Sequence, residues 1–486
     1  MRTIFPLILL TVFISITGCR KFLEQEPDNR TNVTTAEQIT QLLVSAYPKA
    51  SYFAFCESLS DNAEDKGRNE PGLDAEFVKM NQQTWNWQDV QSTSKDSPEA
   101  YWDSCYRAIA AANQALQVIR NAPDSTVFSA QRGEALVARA YAHFMLAALF
   151  TKAYEPTTAA SDPGIPYVTR PETEVFGQYQ RHTVKYVYDM IEADLTTGLS
   201  LINDNIYGNA PKFHFTKKAA HAFASRFYLW KREYAKVVEH ANQALTGTTA
   251  DNLRAWNGEY QNFQPGDMQL AYTNTSERAN ILLQEVSTFW SSTYAAFARY
   301  SLYSDVQSMV LNGPNPSGGS FAIGFKVFGA QAVYYNVPKF KTSGDGTNEY
   351  GIIPLFTAEE VVLNRAEALT FLQQNDAALA DLNAWCSKNI RNYNAATHTI
   401  TQTKLLNFWS FYNLSVGEAL LETIIYFRQV FFIHEGMRWL DVVRLNFPIQ
   451  HTTSNGQTFT LPSDDKRRLL QLPSQVTASG VALNPR

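Results

Sequence analysis

Through most of this chain apolar or small residues recur every three or four positions, the repeat of an α-helix with one buried stripe. The first such stretch runs from Thr35 to about Ala46 and opens with a capping-box pattern, Thr35 at the N-cap and Gln38 at N3. Over 101–120 the stripe is Tyr101, Cys105, Ile109, Ala112, Leu116 and Ile119. From Arg132 to Phe150 it is Ala135, Ala138, Ala142, Leu146 and Leu149. The same spacing predicts helices over 183–202, 216–230, 233–246, 357–373, 376–388, 417–435 and 437–445.

Two pairs of these helices carry small residues where partners would cross. Lys217 to Trp230 and Glu233 to Leu245 have Ala220, Ala224, Ser225, Ala241 and Ala244, with Tyr228 and Tyr234 near the turn. Ala358 to Leu372 and Asp376 to Trp385 have Ala366, Ala368, Ala380 and Ala384 around Phe371. Small residues let antiparallel helices approach while an aromatic fills the hole beside them, so both pairs resemble tetratricopeptide hairpins. The match is partial, since Val237 stands where the repeat has Ala and Glu367 lies beside a crossing residue. The alternative is generic helical hairpins without a superhelix. The fold class implied is mainly α: a tetratricopeptide-like helical-hairpin scaffold with long loop-rich insertions and a few short strands.

The periodicity fails over 52–100 and 251–356, which are rich in Asn, Gln, Ser, Thr, Gly and aromatics and broken by runs such as Gly313-Pro314-Asn315-Pro316. These read as long loops with short strands laid over the scaffold, and loops of that length in a compact protein usually carry function.

The N-terminus has another pattern. Met1-Arg2 precedes an apolar run from Ile4 to Ile16, which at about 13 residues is shorter than the roughly 20 needed to span a bilayer. It reads as a signal-peptide core ending in Ile16-Thr17-Gly18-Cys19, which resembles a lipobox with Cys19 as the acylated residue. The expected organisation is a signal peptide over 1–18, a lipidated tether over 19–33, and one unit over 34–486. In that unit the helical scaffold covers about 34–50, 101–250 and 357–450, and the ligand-facing segments cover 52–100 and 251–356.

Charge and composition narrow the ligand. Net charge is −5, and the longest basic cluster is Lys466-Arg467-Arg468, which is no stripe for a nucleic-acid backbone. Charged residues are only 18% and aromatics 13%, a balance that suits neutral polar ligands. With Cys19 committed to lipid, Cys56, Cys105 and Cys386 allow at most one disulfide, and Cys105 and Cys386 sit in helical stripes as small apolar residues.

His434 to Arg444 looks catalytic at first sight, but Glu435, Arg438 and Asp441 fall at helical spacings of three, where charges commonly pair to fix a junction. His434-Glu435-Gly436 lacks the second His of a zinc motif, and no Cys or His cluster supplies three ligands. Asp61 to Gly67 resembles a calcium loop only loosely, because Ala63 occupies a ligand position. No metal or cofactor is expected. Sugar sites combine an aromatic platform with hydrogen-bonding side chains, and the candidates for such contacts are Trp85, Trp87, Trp290 and Tyr294, with Arg299 weaker. The alternative reading of these rings is that they cover the scaffold.

Several segments together resemble one family. Phe22-Leu23-Glu24-Gln25-Glu26-Pro27 is similar to its tether, and Trp102, Tyr106, Ile109 and Asn113 are spaced like its Trp-x-x-x-Tyr-x-x-Ile-x-x-x-Asn helix. Glu134-Ala135, Arg139-Ala140-Tyr141 and Leu146 match the following helix; Ala219-Ala220 to Tyr228 and Ala366-Glu367-Ala368 match two later hairpins. Most specific is Glu435-Gly436-Met437-Arg438-Trp439-Leu440-Asp441-Val442-Val443-Arg444, close to Glu-Gly-x-Arg-Trp-x-Asp-x-x-Arg; Asp464 to Arg468 and Pro473 resemble the C-terminal element. The ending Leu483-Asn484-Pro485-Arg486 departs from the usual Gly-Tyr. On these residues the chain resembles the SusD/RagB family of outer-membrane nutrient-binding lipoproteins.

That resemblance implies a lipid-anchored protein facing the cell exterior. It would capture oligosaccharides, or peptides, without chemistry and deliver them to a SusC-like TonB-dependent outer-membrane transporter. In glycan-binding relatives platform aromatics lie where Trp85 and Trp87 fall here. Two competing classes are a lipoprotein polysaccharide hydrolase, for which no carboxylate pair stands out by spacing, and a periplasmic tetratricopeptide scaffold, which would have fewer aromatic loops.

Overall fold

In the computed structural model the described residues are 33–172, 177–324, 326–328, 334–346 and 348–486. The segment expected to be a signal peptide (1–18), Cys19 and all but the last residue of the expected tether (19–33) lie outside them.

The predicted capping box forms: Thr35 accepts from the Gln38 N–H while the Gln38 side chain reaches back, and α1 (Ala36–Leu43) buries Ile39 and Leu43. Three long helices follow two shorter ones. α2 (Phe53–Leu59) and α3 (Ala75–Trp85) lead into α4 (Pro98–Asn121), α5 (Ser129–Phe150) and α6 (Val184–Leu201). Asp74, Ser97 and Thr183 cap α3, α4 and α6 through side-chain oxygens, as short polar residues do at helix starts. Helix α5 packs on both α4 and α6 and is buried almost all round from Gly133 onward, with Glu134, Arg139 and His143 enclosed among its apolar residues.

The hairpins α7 (Lys217–Lys231) with α8 (Tyr234–Ala244), and α11 (Ala358–Phe371) with α12 (Asn375–Asn389), stand side by side. Helix α8 packs against both α7 and α11, so the pairs stack as consecutive repeats do. The seam is closed by Tyr234 and Phe371, whose rings stack with centroids 4.3 Å apart and planes 6° apart. Helices α13 (Gln402–Phe408), α14 (Val416–Phe431) and α15 (Met437–Leu445) complete the scaffold. The fold is therefore mainly α with a tetratricopeptide-like scaffold. One contiguous apolar core runs from Ile39 to Val481. Cys56, Cys105 and Cys386 are all buried in it as free thiols.

The irregular segments are more ordered than the composition predicts. Helices α2 and α3 lie inside 52–100: all of Phe53–Leu59 is buried, so it has no polar face to reveal a period. In 251–356 lie α9 (Pro265–Tyr272), α10 (Ser292–Phe297) and a further helical stretch over Ser304–Leu311 that ends in a π turn. Short strands accompany them. β1 (Glu64–Asp65) and β2 (Asn280–Ser287) are followed by β3 (Tyr300–Ser301), β4 (Lys326–Phe328), β5 (Tyr334–Asn336), β6 (Thr342–Ser343) and β7 (Tyr350–Thr357). Strand β7 lies between β2 and β6 in an antiparallel sheet. Antiparallel β1–β3 pairing, Glu64 with Ser301 and Asp65 with Tyr300, ties the two irregular segments to each other.

The Glu435–Arg444 segment is a docking device whose charges pair outward and not among themselves, apart from Asp441 with Arg444. Glu435 bonds the ammonium of buried Lys339 at 2.6 Å, and Arg438 bonds Asp61 through two nitrogens at 2.7 Å each. Asp441 takes Arg428 at 2.9 Å and Arg444 at 2.8 Å, and Arg444 continues to Glu367 at 2.7 Å. Buried ions of this kind cost desolvation energy that only complete pairing offsets, so they specify how α15 docks more than they stabilise it. Gly436 has φ +68°, and a Cβ there would lie 2.8 Å from the Cys56 Cβ and 3.1 Å from the Phe53 Cα, so α2 can approach only a glycine.

Candidate functional site

The β1–β3 pairing brings the loop after β1 against α10. The Lys66 N–H donates to the Arg299 carbonyl at 3.0 Å and the Glu70 N–H to the Phe297 carbonyl at 3.1 Å. The Arg299 N–H donates to the Asn69 side chain at 2.8 Å. Asp65 anchors the loop by taking the Arg299 guanidinium at 2.9 Å and the N–H groups of Gly67 and Ser454 at 2.8 and 3.0 Å. Burial alone would raise its carboxyl. The Arg299 bond and the two N–H donors outweigh burial and bring it to about 2.

Along this junction lie partly open rings. Tyr294 and Phe297 are three residues apart and so share a face of α10. The Tyr294 ring stacks on Phe289 at 5.3 Å and meets Phe77 edge-on at 4.7 Å, and its hydroxyl accepts from the Asp74 N–H at 3.2 Å. Phe297 lies 5.2 Å from Tyr334 of β5, whose phenol the neighbouring Glu70 carboxylate pushes up. Arg68 is exposed beside Glu70, 3.1 Å away. Tyr303 and Tyr335, 5.8 Å apart, form a second half-buried pair. The result is a row of ring surface, Tyr294, Phe297 and Tyr334, bordered by Arg68, Asn69 and Glu70. Such a border can hydrogen-bond hydroxyl groups while the rings cover C–H faces.

The other predicted contact residues lie deeper. Trp85 is 1% exposed, packed between Tyr300 at 4.4 Å and His451 at 4.8 Å, with its indole N–H donating to the Ala63 carbonyl at 3.0 Å. Trp87 is 3% exposed, stacked on His451 at 4.3 Å, and its indole N–H donates to the Leu59 carbonyl at 2.9 Å. It has φ +50° just past the end of α3, where glycine is usual, and burial of the large ring holds it there. Trp290 is 2% exposed and donates to the His434 carbonyl at 2.8 Å. Platform contact needs an open ring face, which these three indoles lack in this structure; the reading in which they cover the scaffold fits their placement. Tyr294 alone among the predicted residues reaches the surface row. Phe297, Tyr334 and Arg68 escaped sequence reasoning, because only the β1–β3 and α10–β5 contacts bring them together.

The loosely calcium-like Asp61 to Gly67 segment has its carboxylates engaged, Asp61 by Arg438, Asp65 by Arg299 and Glu64 by the N–H groups of Tyr303, Asp305 and Val306. Among the described residues no group of three or more His, Cys, Asp or Glu side chains is placed to hold a metal ion, and no helix is long and apolar enough to cross a membrane. The Trp102 helix does local work: the Tyr106 hydroxyl donates to the Pro166 carbonyl at 3.0 Å, and the Asn113 amide donates to the Val168 and Arg170 carbonyls at 3.0 and 3.3 Å. Trp102 and Tyr106 also line a cavity of about 370 Å³.

Residues 21–229 match a family model described as SusD-like, starch-binding associating with outer membrane. No curated protein matches the chain. Among solved structures, a SusD superfamily protein from Bacteroides fragilis is similar at 19% identity with a TM-score of 0.69, covering 92% of this chain and 99% of that one. A SusD superfamily protein from Bacteroides thetaiotaomicron shares 19% identity at a TM-score of 0.65, covering 93% and 100%. A SusD-like carbohydrate binding protein from Bacteroides vulgatus shares 16% identity at 0.65, covering 92% and 96%. With the family match over residues 21–229 and a fold shared with SusD superfamily structures over more than nine-tenths of its length, the chain is similar to the SusD/RagB family in its N-terminal sequence and in its fold.

Proposed function

We propose that this protein is a cell-surface lipoprotein, anchored through Cys19 to the outer membrane, that binds oligosaccharides and passes them unaltered to a SusC-like TonB-dependent transporter. The observation that carries the reading is the Tyr294–Phe297–Tyr334 row with its Arg68, Asn69 and Glu70 border, set where two irregular segments are tied together. A flat, partly open ring row suits the C–H face of a pyranose, and the bordering groups suit its hydroxyls. Support for a carbohydrate over a peptide comes from the description of the matching family model and from the Bacteroides vulgatus structure named above. A signal-peptide core ending in Ile16-Thr17-Gly18-Cys19 supports the anchor.

Three buried glutamates of the scaffold are engaged with arginines, which favours capture over hydrolysis at these positions: Glu359 and Glu360 face Arg254 and Arg226, and Glu367 faces Arg444. The test is calorimetric titration of the purified protein with α-glucan, β-glucan, xylan and mannan oligosaccharides, with chromatography of each mixture afterwards. Saturable binding of at least one neutral oligosaccharide with no new products is expected. Release of shorter products, or indifference to every oligosaccharide with saturable peptide binding instead, contradicts the reading.

A further inference from the structure

A second concave site lies on the α4–α5 face, away from the ring row, and has a different chemistry. We propose that it binds acidic oligosaccharides, through carboxylate or sulfate groups held by Arg120, Arg132 and Arg170. These three exposed arginines line a cavity of about 460 Å³ whose lining contains no aspartate or glutamate. Among the described residues none of the three makes an ion pair. That is unusual for a chain of net charge −5, in which most other guanidinium groups are spent on carboxylates.

Arg132 is in the first turn of α5, which continues directly from a 3-10 turn over Ser125–Phe128 capped by Asp124. Its guanidinium is exposed, where an oxyanion can take it in a charge-assisted, two-pronged bond. Arg139 lies deeper in the same wall but is neutralised by Asp194, which takes its Nε at 2.7 Å and an Nη at 2.8 Å. It shapes the site without adding net charge. Arg139 also donates to Asn113 at 2.8 Å, and Asn113 holds the Arg170 carbonyl, so the backbone that presents Arg170 is fixed.

A saccharide fits better than a bare ion. The floor is apolar, made by Leu116, Ile119 and Leu136, and hydroxyls of Ser125 and Thr169 stand at the wall. A volume of about 460 Å³ falls in the range of roughly 300–1,000 Å³ of small-molecule sites and far exceeds one oxyanion. The arginines come from three elements, the end of α4, the start of α5 and the segment before α6, which suits anionic groups spaced along an oligomer. The saccharide part of this inference rests on the carbohydrate reading above; the anion part rests on the arginines alone.

The test titrates the full chain, purified in detergent, with trigalacturonate, a chondroitin sulfate tetrasaccharide, inorganic sulfate, and the neutral oligosaccharide bound best in the panel. Saturable binding of an acidic oligosaccharide that weakens with salt is expected, and each of Arg120→Gln, Arg132→Gln and Arg170→Gln should weaken it about tenfold. Inorganic sulfate should bind far more weakly, and the neutral sugar should be indifferent to all three changes. The proposal is overturned if neither acidic oligosaccharide binds, if the triple variant binds them as well as the parent, or if inorganic sulfate binds as tightly as they do. Neutral binding that survives such a failure leaves the ring-row reading intact, and arginine-dependent acidic binding without any neutral binding sinks that reading alone. Because the three side chains are exposed, an unchanged melting temperature verifies folding of each variant.

Discussion

Gly133 of α5 and Gly198 of α6 touch where the two helices cross: a Cβ on Gly198 would sit 2.8 Å from the Gly133 carbonyl oxygen and 2.6 Å from the Val137 Cγ2. An alanine in a helix ordinarily gains about 1 kcal/mol over glycine. At this crossing the sign should reverse, since backbone cannot yield as a flexible side chain does, and Gly198→Ala should lose about 1–3 kcal/mol. Urea unfolding against Thr197→Ala on the exposed face checks it; a stabilised Gly198→Ala would contradict the crossing.

Arg444→Met should be among the costliest single changes. It strands Glu367, which is buried, and removes one of two partners of Asp441, for a loss of about 3–5 kcal/mol. Arg438→Met removes a pair whose Asp61 partner is 25% exposed at its side chain, and should cost about 1 kcal/mol. Denaturant midpoints of the two variants should differ clearly, and equal midpoints would remove the distinction drawn here between the two pairs.

Trp85→Ala should behave as a core truncation, losing about 3–5 kcal/mol of stability, because the indole fills the space between Tyr300 and His451 and satisfies the Ala63 carbonyl. A variant that keeps its melting temperature but loses sugar binding would restore Trp85 as a contact residue.

His143 and His434 should stay neutral well into acid. Burial drives each imidazole down to about 3, and positive neighbours add to the shift, Arg139 for His143 and Lys339 for His434. In His143 the Nε2 accepts the Val168 N–H at 3.0 Å, so the proton is on Nδ1, facing the Arg139 carbonyl at 2.9 Å. A depressed pKa contributes stability that is full above the ordinary 6.5 and lost as pH falls from there towards 3. Nitrogen NMR of the histidine rings should show both neutral at pH 5; a charged ring at that pH would contradict the burial.

The helices were legible where one stripe is apolar and the other face is polar, as in Pro98–Asn121 and Val184–Leu201, and their ends agree to within a few residues. Phe53–Leu59 was not, because burial on every side leaves no period. Aromatic richness marked the right segments but could not rank their rings. The indoles of Trp85 and Trp87 bond carbonyls of Ala63 and Leu59, more than 20 residues away, and nothing local shows that. Spacings of three in the Glu435–Arg444 motif suggested charges that pair at a junction; the partners of Glu435 and Arg438, Lys339 and Asp61, lie far off in the sequence and only the fold supplies them.

The most direct measurement is the affinity of the parent and of a Tyr294→Ala/Tyr334→Ala variant for the best neutral oligosaccharide, taken by calorimetry with melting temperatures recorded alongside. Stacking on two partly open rings should be worth about 1–3 kcal/mol, so the variant should bind ten- to a hundredfold more weakly at a melting temperature within a few degrees of the parent. Equal affinity in the two proteins would place the sugar elsewhere and contradict the account.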